Sequence, residues 1–111
     1  MKGDKTMNMH NPAHPGELIR ETIEGIREET GQKLTIEEVA EGLETTLTNL
    51  SRLMNGKRSV TSEMALKLAA GFRNTTPEFW MRVQENYNLF YAHRVVNTKR
   101  IRVFWPRTAV R

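Results

Sequence analysis

Helix-start signals recur at short intervals along this chain, and they constrain its fold more than any other feature. Threonine supplies an oxygen that caps the first turn of a helix, and proline suits that turn because its missing N–H would have no partner there. After each signal the apolar residues recur three and four positions apart, which places them on one helical face. The pattern therefore predicts an all-α fold of five short helices. The start signals are His14-Pro15, Thr35, Thr46, Thr61 and Thr76-Pro77.

The length of 111 residues suits one domain, and the absence of cysteine excludes disulfides, thiolate metal sites and cysteine nucleophiles. We expect an N-terminal arm over residues 1–13, a helical domain over 14–94 and a basic extension over 95–111. In the extension, residues 100–103 alternate charged and apolar side chains, which predicts a short strand that Pro106 limits and that pairs with its twin or stays loose. With no apolar run of about 20 residues and no signal-peptide pattern, we expect a cytoplasmic protein with no membrane partner.

Charge is divided unevenly between the two halves of the chain. Residues 1–50 hold 5 basic and 10 acidic residues, whereas residues 51–111 hold 12 basic and 3 acidic ones. A basic half favours a polyanionic partner, most commonly nucleic acid, although a solvated basic tail is the simpler alternative.

The second and third predicted helices form a helix-turn-helix pattern. The second helix is expected over about Thr35–Gly42 and the third over about Thr46–Asn55. At 100° per residue, the polar residues of the third helix fall within about 100° of one another, opposite the apolar stripe. They are Thr48, Ser51, Arg52 and Asn55. Short hydroxyl side chains and an arginine on such a helix suit the major groove of DNA, although any amphipathic helix has a polar face. We expect base contacts from Thr46, Thr48, Ser51 and Arg52, and phosphate contacts from Lys57, Arg58 and the backbone near Asn55.

The fifth predicted helix is apolar around more than one face. A helix of this kind is buried in a large core or packs against a second chain, and a chain of this length has no large core. We therefore expect a dimer face formed by Trp80, Val83, Tyr87, Phe90 and Tyr91.

Four motifs, in this order and spacing, resemble the HigA antitoxins, the HPGE subgroup of the lambda-repressor-like (XRE) helix-turn-helix family. The resemblance covers about residues 14–98 and implies a five-helix, lambda-repressor-like fold. It also implies a dimeric antitoxin of a bacterial type II toxin–antitoxin module, which binds operator DNA at its own promoter and neutralises a HigB-like mRNA interferase. The motifs are His14-Pro15-Gly16-Glu17, Ser51-Arg52-Leu53-Met54-Asn55-Gly56-Lys57, Thr61-Ser62-Glu63-Met64-Ala65-Leu66-Lys67-Leu68-Ala69 and Thr75-Thr76-Pro77-Glu78-Phe79-Trp80.

The resemblance also implies roles for individual residues. The positions of Leu47, Thr48 and Arg52 often reach bases in lambda-repressor-like proteins, and those of Ile36, Asn55 and Lys57 often lie near phosphates. Leu47 is either a contact to a thymine methyl group or an edge of the core. The chain departs from the family at Glu44, which occupies a turn position usually held by glycine.

An RNA-cleaving toxin needs a basic surface, and the acidic first helix is the candidate surface to cover it. The toxin-contact residues expected on this basis are Glu17, Glu21, Glu24 and Glu28. The alternative is a solvated helix face with ordinary pairs between neighbouring turns.

Three further functions compete with this interpretation. A free-standing repressor without a toxin has the same sequence features. RNA binding by Phe104 and Trp105 in the basic extension is a second alternative, through stacking of bases on the rings. An enzyme could hold a metal between His10 and His14 together with Glu17 and Glu21, but the sequence contains no His-Glu-x-x-His pattern and no histidine beside a nucleophile. We expect no enzymatic activity, no metal and no cofactor.

Overall fold

The structure is a computed structural model that describes residues 11–105. Five α-helices form the domain, and no strand occurs in this part of the chain. Expectations for the arm up to His10 and for the extension from Pro106 onward lie outside the described residues. The helices are α1 (Pro15–Thr30), α2 (Ile36–Gly42), α3 (Leu47–Met54), α4 (Ser62–Gly71) and α5 (Pro77–Val95), followed by a 3-10 turn at Thr98–Arg100.

Each helix begins at its predicted capping residue. The Nδ1 atom of His14 accepts a hydrogen bond from the Gly16 N–H at 2.9 Å. Thr35 and Glu38 form the predicted capping box, in which each side chain accepts a hydrogen bond from the other residue's backbone N–H, at 2.9 and 3.1 Å. The remaining helices are capped by Thr46, Thr61 and Thr76, whose side-chain oxygens each accept a hydrogen bond from a backbone N–H of the first turn.

The five helices share one hydrophobic core. Every helix contributes at least one almost fully buried side chain, so the predicted apolar stripes converge on one interior. No helix among the described residues has the length and apolar character needed to cross a bilayer. The buried hydrophobic residues are Ile19, Ile23, Val39, Ala40, Leu43, Leu50, Leu53, Met54, Val60, Ala65, Leu68, Phe72 and Trp80.

The start of α1 packs closely against the end of α3. A Cβ atom added to Gly16 would lie 2.7 Å from the Cα atom of Met54 and would also clash with the carbonyl oxygen of Leu53. Glycine is therefore required in the His-Pro-Gly-Glu motif, because only hydrogen fits between the two backbones.

Two predictions about the second half of the chain are wrong. Trp80 is not part of a dimer face, because its side chain is 1 % exposed and its ring packs between Phe72 and Phe79, with centroid distances of 6.3 and 5.1 Å. The strand predicted over residues 100–103 is absent, and a 3-10 turn ends at Arg100 instead. An alternating sequence forms a stable strand only where a neighbouring strand satisfies its backbone groups, and the described chain supplies no such neighbour.

Candidate nucleic-acid interface

The helix-turn-helix consists of α2, the turn at residues 43–46 and α3. Leu50 and Leu53 point into the core with exposures of 0 and 2 %, so the opposite side of α3 faces outward. Thr48, Arg52 and Asn55 are exposed on that side, and Ser51 is half-buried. The predicted polar stripe therefore lies on the surface and is held there by the apolar anchors of the same helix.

The start of α3 presents two further predicted residues to solvent. Thr46 is exposed while its hydroxyl oxygen caps the helix by accepting from the Asn49 N–H at 3.0 Å. Leu47 is 44 % exposed, so much of its side chain is accessible to a partner.

The turn before α3 contains a strained residue. Glu44 has a φ of 56°, in the left-handed region that a side chain disfavours. Its backbone oxygen accepts a hydrogen bond from Lys67 Nζ at 2.7 Å, and its N–H donates to the Glu41 carbonyl at 3.0 Å. The turn between α2 and α3 thus holds Glu44 in this conformation, with its carboxylate exposed.

Arg20 of α1 holds the carboxyl end of α3. Its Nη2 atom donates to the Asn55 Oδ1 atom at 3.2 Å and to the Met54 carbonyl at 3.4 Å, and Asn55 Nδ2 in turn lies 3.4 Å from the Ser51 Oγ atom. A cation at this end of a helix is also favoured by the helix dipole. Sequence reasoning missed this role, because the contact joins residues far apart in the chain and leaves no local pattern.

The loop after α3 is anchored on both sides. The Lys57 N–H donates to the Arg52 carbonyl at 2.8 Å, and the Arg58 guanidinium donates to Asn49 Oδ1 at 2.7 Å. Farther along, the buried Gln84 side chain of α5 accepts a hydrogen bond from the Val60 N–H at 2.7 Å. Gln84 was also missed, since a glutamine within an apolar helix gives no sign that it supports a distant loop.

The exposed cations of this surface are available to a partner. The ion pairs found among residues 11–105 are Arg27 with Glu24 at 3.0 Å and Lys67 with Glu63 at 3.4 Å. Arg52 and Lys57 belong to neither pair, and both are exposed. Their charges are therefore not neutralised by carboxylates of the described chain.

His14 serves the start of α1. Burial lowers the pKa of its imidazole from the ordinary value of 6.5, against a smaller opposing effect of the Glu17 carboxylate. The neutral form is also the one whose Nδ1 atom can accept the Gly16 hydrogen bond, and the ring packs edge-on against Tyr87 at 4.8 Å. In the described part of the chain, no three histidine or acidic side chains are grouped closely enough to hold a metal ion.

The predicted toxin and dimer residues lie on α1 and α5, and Glu17, Tyr87 and Tyr91 line a cleft together with Asn55 at the end of α3. The four acidic residues of α1 are all exposed, and only Glu24 pairs with a cation of the described chain, Arg27. On α5, Val83, Tyr87 and Phe90 are half-buried and Tyr91 is 38 % exposed. These assignments remain predictions. The acidic set is Glu17, Glu21, Glu24 and Glu28.

Comparison with known proteins agrees with this architecture. The Helix-turn-helix family model matches residues 23–80, and the chain belongs to this family, in its XRE-type, lambda-repressor-like branch. Virulence-associated protein A' of Dichelobacter nodosus is 38 % identical over 102 residues, which cover 92 % of this chain and 83 % of that protein.

Solved structures of HigA antitoxins are similar to this chain over most of its length. An addiction module antidote protein of the HigA family from Coxiella burnetii has 31 % identity and a TM-score of 0.68, over 87 % of this chain and 99 % of that one. The Pseudomonas aeruginosa antitoxin HigA, solved with the higBA promoter, has 27 % identity and a TM-score of 0.65, over 86 % of this chain and 97 % of that one. The resemblance found in the sequence is thereby confirmed.

Proposed function

We propose that this protein is the antitoxin of a type II toxin–antitoxin module, a dimer that binds operator DNA and represses its own promoter. The observation that carries the DNA-binding part is the exposed polar stripe of α3, which Leu50 and Leu53 fix to the core from the other side. The Pseudomonas aeruginosa relative was solved with a promoter, which supports the same partner for this chain.

Base recognition is assigned to the first part of α3 and its outward stripe. An arginine reads guanine with two hydrogen bonds, and short hydroxyl side chains let the helix approach the base edges closely. Leu47, with its exposed outer part, is suited to a thymine methyl group. The base-contacting set is Thr46, Leu47, Thr48, Ser51 and Arg52.

Phosphate contacts are assigned to Asn55, Lys57 and Arg58, at the end of α3 and in the following loop. The Asn55 oxygen accepts from Arg20 and one of its amide hydrogens is directed to Ser51 Oγ, which leaves the other amide hydrogen as a donor for a phosphate. Lys57 and Arg58 add charge beside it, and such contacts position the protein without reading sequence.

Dimerisation is assigned to one side of α5 over residues 83–91. Tyr87, Phe90 and Tyr91 form a connected aromatic surface, with centroid distances of 4.8 Å between the two tyrosines and 5.0 Å between Phe90 and Tyr91. Val83 completes the set. A twofold dimer would place two α3 helices in successive major grooves, about 34 Å apart.

The toxin partner is assigned to the acidic face of α1. A HigB-like toxin that binds RNA carries positive charge, and opposite potentials steer and align two partners. Four carboxylates within three turns of one helix supply that potential with little internal neutralisation.

The first experiment is co-purification of the chain with the product of the neighbouring gene, followed by a gel shift on the upstream DNA. We expect a specific shift and a stoichiometric complex. A shift without a co-purifying protein would identify a free-standing regulator instead, and no preference for upstream over scrambled DNA would contradict operator binding.

The toxin surface has its own test. Changing Glu17, Glu21, Glu24 and Glu28 together to lysine should abolish toxin binding, whereas lysine at the exposed Glu37 and Glu41 of α2 should leave it intact. Unchanged toxin affinity in the α1 variant would contradict the assignment.

A further inference from the structure

The basic extension after α5 carries positive charges that no carboxylate of the described chain neutralises. No acidic residue follows Glu85, and Lys99, Arg100 and Arg102 place three cations within four positions. None of the three joins an ion pair in the described part of the chain. A cluster of unneutralised cations on an exposed segment is the usual signature of a polyanion contact.

The extension stands apart from the helical domain. The hydrogen bonds found for residues 97–105 stay within that segment, including the Lys99 N–H to Asn97 Oδ1 bond of 3.1 Å that opens the 3-10 turn. The next residue after the turn, Ile101, has extended backbone with φ −80° and ψ 129°. Beyond it, the Arg102 guanidinium lies over the Phe104 ring, 4.7 Å from the ring centroid, and all residues of the segment are exposed.

The carboxyl half of α5, from which the extension continues, borders the phosphate-contacting end of α3. A cleft of about 540 Å³ is lined by Tyr87 and Tyr91 of α5 together with Asn55 and Gly56. Val95, the last residue of α5, lies one helical turn beyond Tyr91, a rise of about 6 Å. With the 3-10 turn at Thr98–Arg100 included, the chain from Val95 to Arg102 spans about 20 Å, enough to reach phosphates several base pairs away from those beside α3.

We propose that residues 99–102 form a second DNA-contacting arm, which binds backbone phosphates next to the site occupied by α3. The inference rests on the proposed operator binding and extends it. Because the arm offers charge and no base-reading geometry, it adds affinity equally on every DNA sequence, while α3 supplies the discrimination.

The apolar side chains of the same segment provide the alternative to be tested. Ile101, Val103, Phe104 and Trp105 are 64 to 81 % exposed. If the extension served mainly as a contact between two copies of the chain, these side chains would be buried by the second copy, and removing the cations would leave DNA binding unchanged.

The test measures DNA affinity by fluorescence anisotropy over a range of salt concentrations, on the upstream duplex and on a random duplex. Arg100→Gln/Arg102→Gln is compared with Arg73→Gln/Arg82→Gln, which removes the same charge from exposed positions before the extension. Each phosphate contact that is lost makes the negative slope of log K against log salt shallower by about 0.9. The arm variant lacks two such contacts per subunit, so its slope should be shallower by about 2 per subunit on both duplexes. The control variant should keep the wild-type slope.

Several results overturn the proposal, and they are separable from failure of the proposed function. Wild-type slopes in the arm variant would show that these arginines do not contact phosphate. The proposal is also overturned if the chain truncated after Arg94 keeps its DNA affinity and salt slope but is a monomer by light scattering. That result would assign the extension to the contact between two copies of the chain. If the wild-type chain binds neither duplex, operator binding itself is refuted and the arm with it.

Discussion

Glu44 offers a test in which backbone strain and charge can be separated. The residue holds a φ of 56° in the turn before α3, and its backbone oxygen receives the Lys67 hydrogen bond. Substitution by glycine keeps that oxygen, removes the strain and removes the carboxylate. Substitution by glutamine removes only the carboxylate, so it is the matched control.

The expected magnitudes follow from the two effects. A side chain in the left-handed region destabilises the fold by about 1–2 kcal/mol, which glycine would relieve. Glycine itself destabilises the fold by about 0.5–1 kcal/mol, because it makes the unfolded chain more flexible. Glu44→Gly should therefore raise the free energy of unfolding by about 0.5–1 kcal/mol, or roughly 2–5 °C in Tm for a domain of this size. Glu44→Gln should melt like the wild type.

DNA affinity should respond to charge alone. A carboxylate about 4–10 Å from a phosphate costs roughly 0.4–1 kcal/mol in water, so both variants should bind about 2- to 5-fold more tightly per subunit at low salt, and the gain should fade as salt rises. Thermal melts and anisotropy titrations measure the two quantities. Equal melting temperatures of Glu44→Gly and Glu44→Gln would refute the claim that Glu44 is strained. Wild-type DNA affinity in both variants would show that the Glu44 carboxylate lies away from the phosphates.

Three other predictions concern α1 and its contacts. Gly16→Ala should destabilise the fold by about 1–3 kcal/mol or more, because the new Cβ would clash with α3. Gly25→Ala is the control: no atom lies within 4 Å of its new Cβ, so it should stabilise the fold by up to about 1 kcal/mol. Equal melting temperatures of the two variants would refute the close approach of α1 to α3. Burial lowers the His14 pKa, so the unfolded chain takes up the proton at a higher pH than the folded chain does. The contribution of neutral His14 to the free energy of unfolding should therefore be fully present above about pH 6.5 and should decrease below it. The melting temperature of His14→Asn should depend less on pH. Arg20→Met should weaken operator binding by about 1 kcal/mol, because it removes the hydrogen bond that positions Asn55. Unchanged affinity would show that Asn55 does not depend on this hydrogen bond.

The helix starts could be predicted from the sequence because their causes are local. The capping box of Thr35 and Glu38 is written within four residues, and the exposure of Arg52 follows from its angle to Leu50 and Leu53. Glu44 could also be recognised as a departure at a turn, and its positive φ agrees with that prediction.

The supporting contacts could not be predicted, because they join distant parts of the chain. Neither Arg20 with Asn55 nor Gln84 with Val60 leaves a pattern at one position that names the other. Trp80 was misassigned for a related reason: a helix that is apolar on every side does not reveal which of its aromatic residues enters the core.

The central claim is that the outward stripe of α3 reads DNA sequence, and Arg52 tests it most directly. The measurement is the affinity of Arg52→Ala for the upstream operator and for random DNA at one salt concentration, with each operator position varied in turn. We expect a loss of about 1–3 kcal/mol on the operator, little change on random DNA and relaxed preference at one position per half-site. An equal loss on both duplexes would contradict the account, because it would make Arg52 a phosphate contact.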